Sequence, residues 1–152
     1  MNVTFNKLCA SNIEDATNVI IEAYKMPPSC NVWSIEQAQK SITVSMNNPQ
    51  DRCFAAFKDD VFVGVLIGRI QIYAEDEFYI MQLSIHPQYS RKGIGSKLLA
   101  YCMKQIKSEG ITHIELMTAP HDTVFYKKCN FISSDAITYL CGYYKPMPSH
   151  FE

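Results

Sequence analysis

This sequence lacks a charge excess of either sign. Fourteen Lys and Arg stand against fifteen Asp and Glu, a formal net charge of -1. No global positive field points to nucleic acid as a partner. Long apolar runs are missing as well. None reaches the ~18 residues of a membrane span, and the opening MNVTFNKLCASNIED has neither a charged start nor an apolar core, so neither a membrane partner nor a signal peptide is expected. The six cysteines, Cys9, Cys30, Cys53, Cys102, Cys129 and Cys141, form no Cys-x-x-Cys pair, and no histidine spacing suggests zinc. The expectation is therefore no metal, and reduced, mostly buried thiols in a cytoplasmic protein. No Cys/His pairing offers a thiol nucleophile. Glycine is scarce, six in all, which makes the close pair Gly93 and Gly95 informative.

What is present is an ordinary globular balance, 47% hydrophobic and 19% charged over 152 residues. That is enough for one domain, 1–152, with a real core. Residues 3–9 read as a strand with Val3 and Phe5 on one face. Ser11 with Glu14 has the capping-box spacing, and Ile13, Ala16, Val19, Ile20 and Ala23 then form a helical stripe. The Pro27-Pro28 pair interrupts the chain. Ser34 and Gln37 suggest a second cap on a helix running to about Met46. Arg52 to Phe57, the acidic turn Asp59-Asp60 and Val61 to Tyr73 read as a hairpin, with Gly64 and Gly68 as candidate bulges. Residues 74–77 form a turn into an apolar strand, 78–85. Leu98, Leu99, Cys102 and Ile106 recur at helical spacing, and Gly110 suits a helix stop. Residues 112–118 read as a strand, Asp122 as a cap on a short helix that ends at Asn130, and 131–145 as one or two final strands. A strand, helix and strand of these lengths imply a parallel pair with a right-handed crossover.

Gly93 and Gly95 lie where the strand gives way to the central helix. The first turn of a helix leaves N–H groups unpaired at its positive dipole end. Two glycines let a ligand approach the backbone, and Arg91 and Lys92 add charge. These features suit a phosphate or diphosphate. The dinucleotide fingerprint is excluded, because Leu98 stands where its third glycine belongs. The phosphate-loop spacing of nucleotidases is also absent.

Two segments carry a more specific likeness. Ile85-His86-Pro87 followed by Ser90-Arg91-Lys92-Gly93-Ile94-Gly95 resembles the diphosphate-binding motif of the GNAT superfamily of acetyl-CoA-dependent N-acetyltransferases. Its pattern is Gln/Arg-x-x-Gly-x-Gly/Ala after a Val-x-Pro-like turn, and Ser90 departs from it. Phe125-Tyr126-Lys127-Lys128-Cys129-Asn130-Phe131 resembles the family's Phe/Leu-Tyr-x-Lys-x-Gly-Phe helix. The resemblance implies an α/β fold of mixed α+β character. A central, mostly antiparallel twisted sheet would hold one splayed parallel pair, flanked by about four helices. It also implies acetyl-CoA as co-substrate and a primary amine, on a small molecule or a peptide, as acceptor. A homodimer is left open.

The resemblance further implies site residues. Backbone groups of Leu83, Ser84 and Ile85 would pair with the pantetheine arm. Amides of Arg91, Lys92, Gly93, Ile94, Gly95 and Ser96 would hold the diphosphate. Tyr126 would be the acid that protonates the departing thiolate. The base stays open. Tyr79 stands where some members carry a glutamate, leaving Glu77, Glu115, His121 and a water chain as contenders. Tyr24, Met26 and Trp33 lie in the segment that walls the acceptor site in this family. The competing reading is a non-catalytic acyl-CoA-binding or interaction domain.

Overall fold

The computed structural model describes residues 2–142. Five strands form one sheet in the order β1 (Val3–Lys7), β2 (Asp51–Lys58), β3 (Val61–Gln71), β4 (Glu77–Ile85), β5 (His113–Glu115). Every pair is antiparallel except β4 with β5. The β2–β3 turn places Asp59 and Asp60 at φ 47° and 66°, the left-handed pair that a two-residue hairpin requires.

Helices cover both faces. The stripe Ala16, Val19 and Ile20 of α1 (Ile13–Lys25) joins Ala38 and Ile42 of α2 (Ile35–Met46) over Ala55, Val65 and Ile67. On the opposite face, Leu98, Leu99, Cys102 and Ile106 of α3 (Ile94–Ser108) pack over Phe54, Val63, Leu66, Phe78 and Ile80. Residues of β2 and β3 therefore feed two separate cores, and these side chains are shielded because the sheet is covered on both sides. A short helix, α4 (Thr123–Lys128), lies beside the α3 face.

The helix starts differ from expectation at two places. Ser34 does cap α2, its hydroxyl accepting from the Gln37 amide at 3.1 Å. Ser11 does not cap α1: it sits inside a 3-10 turn, Ala10–Asn12, and no side-chain cap bond forms there. Asp122 likewise belongs to a 3-10 turn and makes no cap bond. The C-terminal stops hold. Gly110 takes φ 86°, and Ile111 and Gly110 donate to the Ile106 and Lys107 carbonyls. Asn130, at φ 69°, does the same for α4, with Phe131 and Asn130 donating to Tyr126 and Lys127. Both are Schellman closures with their apolar contact, Ile106 to Ile111 and Tyr126 to Phe131.

Two strand expectations need correction. β5 spans three residues, not seven, and residues 131–142 form no strand; positions 143–145 lie outside the described residues. With β5 so short, little edge remains for a further strand to pair with.

Burial sets a pH response. The fully enclosed Cys102 thiol is pushed up to about 12, and Cys53 to about 11, both by desolvation first. The folded chain keeps these protons where the unfolded chain, near 9, has lost them. Their stabilising contribution is whole below pH 9 and is lost as pH rises towards 11–12. The melting temperature should fall steadily above pH 9. Cys102→Ala should flatten that slope, since one such group contributes up to about 1.4 kcal/mol per pH unit. An equal slope in the variant would contradict this assignment.

Candidate active site

The site begins with two irregularities in the sheet. Ala56 faces Gly64, but Phe57 faces Phe62, leaving Val63 as an extra residue. Ile67 faces Gln82, but Gly68 faces Ile80, leaving Met81 unpaired on β4. Gly68 is needed at the second bulge: a Cβ there would run into the Phe78 ring. Because side chains alternate along a strand, one extra residue inverts their sides. Phe78 and Ile80 point to α3, whereas beyond Met81 it is Leu83 and Ile85 that do so. Gln82 and Ser84, both buried, are thereby turned towards α1.

The second feature is an opened edge. β5 pairs with β4 only at Glu77, Phe78 and Tyr79. From Ile80 to Ile85 no strand lies against that side of β4 among the described residues. The slot carries the backbone of Leu83, Ser84 and Ile85 and ends at the loop before α3. There Arg91 and Gly93 take φ 58° and 81°, with Gly93 as the N-cap residue of α3. Ile94 is buried and anchors the turn, while Arg91, Lys92, Gly93 and Ser96 are exposed. A Cβ on Gly93 would meet nothing within 4 Å, so open space faces the cradle. Gly95 is packed, with Phe125 and Ile85 at 3.5 and 3.6 Å from where its Cβ would stand. Lys58, Lys92 and Lys97 line one small cavity beside this loop. The unpaired amides of a 15-residue helix and these cations are of the kind that could hold an anion. Ser90 contributes no side chain to it: its hydroxyl is turned back, donating to the Pro87 carbonyl at 2.8 Å.

Tyr126 of α4 packs against the α3-face core, its ring held edge-on between Phe125 and Phe131 at 5.0 and 5.7 Å. Burial, then the negative field of Asp122, pushes its phenol up to about 12. Tyr24, at the end of α1, adds to that field. Burial raises its phenol more than the neighbouring Gln82 and Ser84 side chains lower it. Ser84 Oγ, although beside Tyr24, is buried with no hydrogen-bond partner of proper geometry. A buried hydroxyl without a partner costs about 1–3 kcal/mol, and here it lines an opened strand edge. Ser84→Ala should leave thermal stability unchanged or raised and lower turnover about tenfold, the worth of one hydrogen bond to a ligand. Equal turnover at equal stability would remove Ser84 from the site.

The candidate bases meet on the α1 face at the closed end of the slot. Phe78 and Ile114 pack towards α3, so Glu77, Tyr79, His113 and Glu115 point the other way. Nε2 of His113 lies 3.4 Å from Glu115 Oε2 and 3.9 Å from Glu77 Oε2. His121 is separate, on the turn before α4, 3.3 Å from Asp122. Trp33 packs on Tyr24 at 5.6 Å and on the α1–α2 core, which anchors that loop; Met26 is exposed. Sequence patterning passed over Gln82, although two polar residues inside an apolar strand were a usable signal.

Comparison with known proteins bears on the family and the fold. The model of the acetyltransferase (GNAT) family matches residues 17–131. An uncharacterized N-acetyltransferase, ycf52, of Gracilaria tenuistipitata var. liui is 34% identical over 70 residues, 45% of this chain. That match spans only 38% of the length of the Gracilaria protein. A possible acetyltransferase from Clostridium difficile 630 superposes with a TM-score of 0.79 at 13% identity, covering 97% of this chain and 100% of its own. The crystal structure of a predicted acetyltransferase with acetyl-CoA from Clostridium acetobutylicum gives 0.71 at 15% identity, covering 92% and 96%. At such identities the likeness shows the fold.

Proposed function

We propose that this chain, which belongs to the GNAT acetyltransferase family, is an N-acetyltransferase that moves the acetyl group of acetyl-CoA onto a primary amine within a ternary complex. The observation that carries this reading is the opened β4 edge, 80–85, leading to the left-handed Gly93 turn at the start of α3. A strand edge pairs with an amide-bearing arm by main-chain hydrogen bonds, and a helix start takes a diphosphate.

In this reading acetyl-CoA supplies an activated thioester, and the chain's own groups do the rest. Backbone groups of Leu83, Ser84 and Ile85 hold the pantetheine arm. Amides from Arg91 to Ser96 hold the diphosphate, helped by the charge of Arg91 and Lys92. The Met81 bulge interrupts the β3–β4 register beside the opened edge, where a backbone amide would suit a developing oxyanion. Tyr126 keeps its proton throughout the neutral range and hydrogen-bonds the departing sulfur. A phenol near 12 stands well above a free thiol near 8.5, so the proton is shared with the thiolate as it forms rather than passed on early. Glu77 and Glu115 accept the proton of the incoming ammonium, directly or through water. Tyr24, Gln82 and Ser84 line the acceptor side. The six free thiols suit a reducing compartment such as the cytoplasm.

The test is thiol release from acetyl-CoA across polyamines, aminoglycosides, amino acids and N-terminal peptides. Amine-dependent release with at least one class supports the reading. Coenzyme binding without release in any class supports an acyl-CoA-binding domain instead.

A further inference from the structure

We propose that Glu77, His113 and Glu115 form a three-ligand site for a zinc-type divalent ion, and that an ion there silences the proton acceptors of the active site. No spacing in the chain announces this group, because its members are 36 and 38 positions from Glu77. The parallel β4–β5 register creates it. Glu77 and His113 are direct cross-strand partners, and Glu115 follows His113 by one pleat on the same face.

One imidazole nitrogen and two carboxylate oxygens lie within 4.8 Å of one another. At bond lengths of about 2.0–2.1 Å, tetrahedral zinc holds its ligand atoms about 3.3 Å apart. The His113–Glu115 separation of 3.4 Å already fits, and the His113–Glu77 separation of 3.9 Å closes by a rotation about the end of one glutamate side chain. Two anionic ligands and one neutral imidazole suit zinc in chemistry as well as in shape. All three ride on paired strands rather than loops, which fixes their Cα positions before any ion arrives. Three protein ligands leave the fourth position open to water or to the amine itself. None of the six cysteines belongs to the group.

The functional consequence rests on the acetyltransfer reading. Glu77 and Glu115 cannot both bind an ion and accept a proton from an ammonium. Occupation should therefore inhibit turnover without displacing the coenzyme, whose slot lies beyond Tyr79 on the opposite end of β4.

The test uses the full chain stripped with chelator, with Co2+ as the spectroscopic stand-in for zinc. One equivalent should give visible d–d bands without the intense charge-transfer absorption of a cobalt–thiolate bond. His113→Ala should weaken binding by about tenfold or more; Glu115→Gln should do the same, which guards against a misfolded single variant. Zinc should inhibit amine-dependent thiol release in the parent chain, and His113→Ala should lose that inhibition, read in each chain as the ratio of its own rates with and without zinc. Bands that persist in both variants, or thiolate absorption in their place, would overturn the site. A chain that binds cobalt through His113 but releases no thiol with any amine would uphold the site and overturn the acetyltransfer reading.

Discussion

Tyr126→Phe is expected to lower kcat by about 10²–10⁴-fold, the range for loss of a positioned acid. The ring stays, so its edge-on contacts with Phe125 and Phe131 are kept, and coenzyme affinity and thermal stability should be close to those of the parent chain. The pH profile separates this role from a structural one. With its phenol held at about 12, Tyr126 does not titrate in any neutral assay. Parent and variant should show the same limbs between pH 6 and 10, displaced only in height. Full turnover by the variant would assign the proton to another donor, and a limb that disappears with the hydroxyl would mean that the phenol ionises far lower than its burial implies.

Gly93→Ala should separate cradle from packing. Residue 93 sits at φ 81°, where any side chain other than hydrogen costs about 1–2 kcal/mol. The chain either keeps that strain and loses stability, or relaxes the loop and turns the amides of Ile94 to Ser96 away from their shared focus. Losing one charge-assisted hydrogen bond, about 1.5–3 kcal/mol, raises Kd for coenzyme A by about tenfold or more. Gly95→Ala is the control. Its Cβ would rest in ordinary contact with Phe125 and Ile85, at 3.5 and 3.6 Å. The residue is already helical, so stability should be unchanged or raised by up to about 1 kcal/mol, with Kd unaltered. Equal affinity for both variants in calorimetry would show that the Gly93 turn does not shape the binding site.

The strand–turn–helix frame of the proposed diphosphate cradle was legible in the sequence because it is local. Strand, loop and helix start lie within some twenty consecutive residues, and two glycines with an apolar stripe at Leu98, Leu99, Cys102 and Ile106 suffice to describe them. Features that depend on register were not legible. The Met81 bulge inverts the facing of Gln82 and Ser84; these two polar residues mark the strand as unusual, but their spacing alone does not say which residue is inserted. The meeting of Glu77 with His113 and Glu115 is set by the β4–β5 pairing alone. Local signals also misled. Ser11 and Glu14 have capping-box spacing, but a 3-10 turn over Ala10–Asn12 takes up those residues first. Ile132, Ile137 and Leu140 have the composition of a strand, yet they are exposed, because β5 presents only three residues to pair with. Ser90, where the family's motif has Gln or Arg, is explained only by its bond to the Pro87 carbonyl.

Hydrogen exchange of the backbone amides, with and without acetyl-CoA, measures the binding edge most directly. Protection should appear in two segments, 80–85 along the open side of β4 and 91–96 at the start of α3, with little change across β1 and β2. Unaltered exchange in both segments under saturating acetyl-CoA, or protection confined to another part of the chain, would contradict the account.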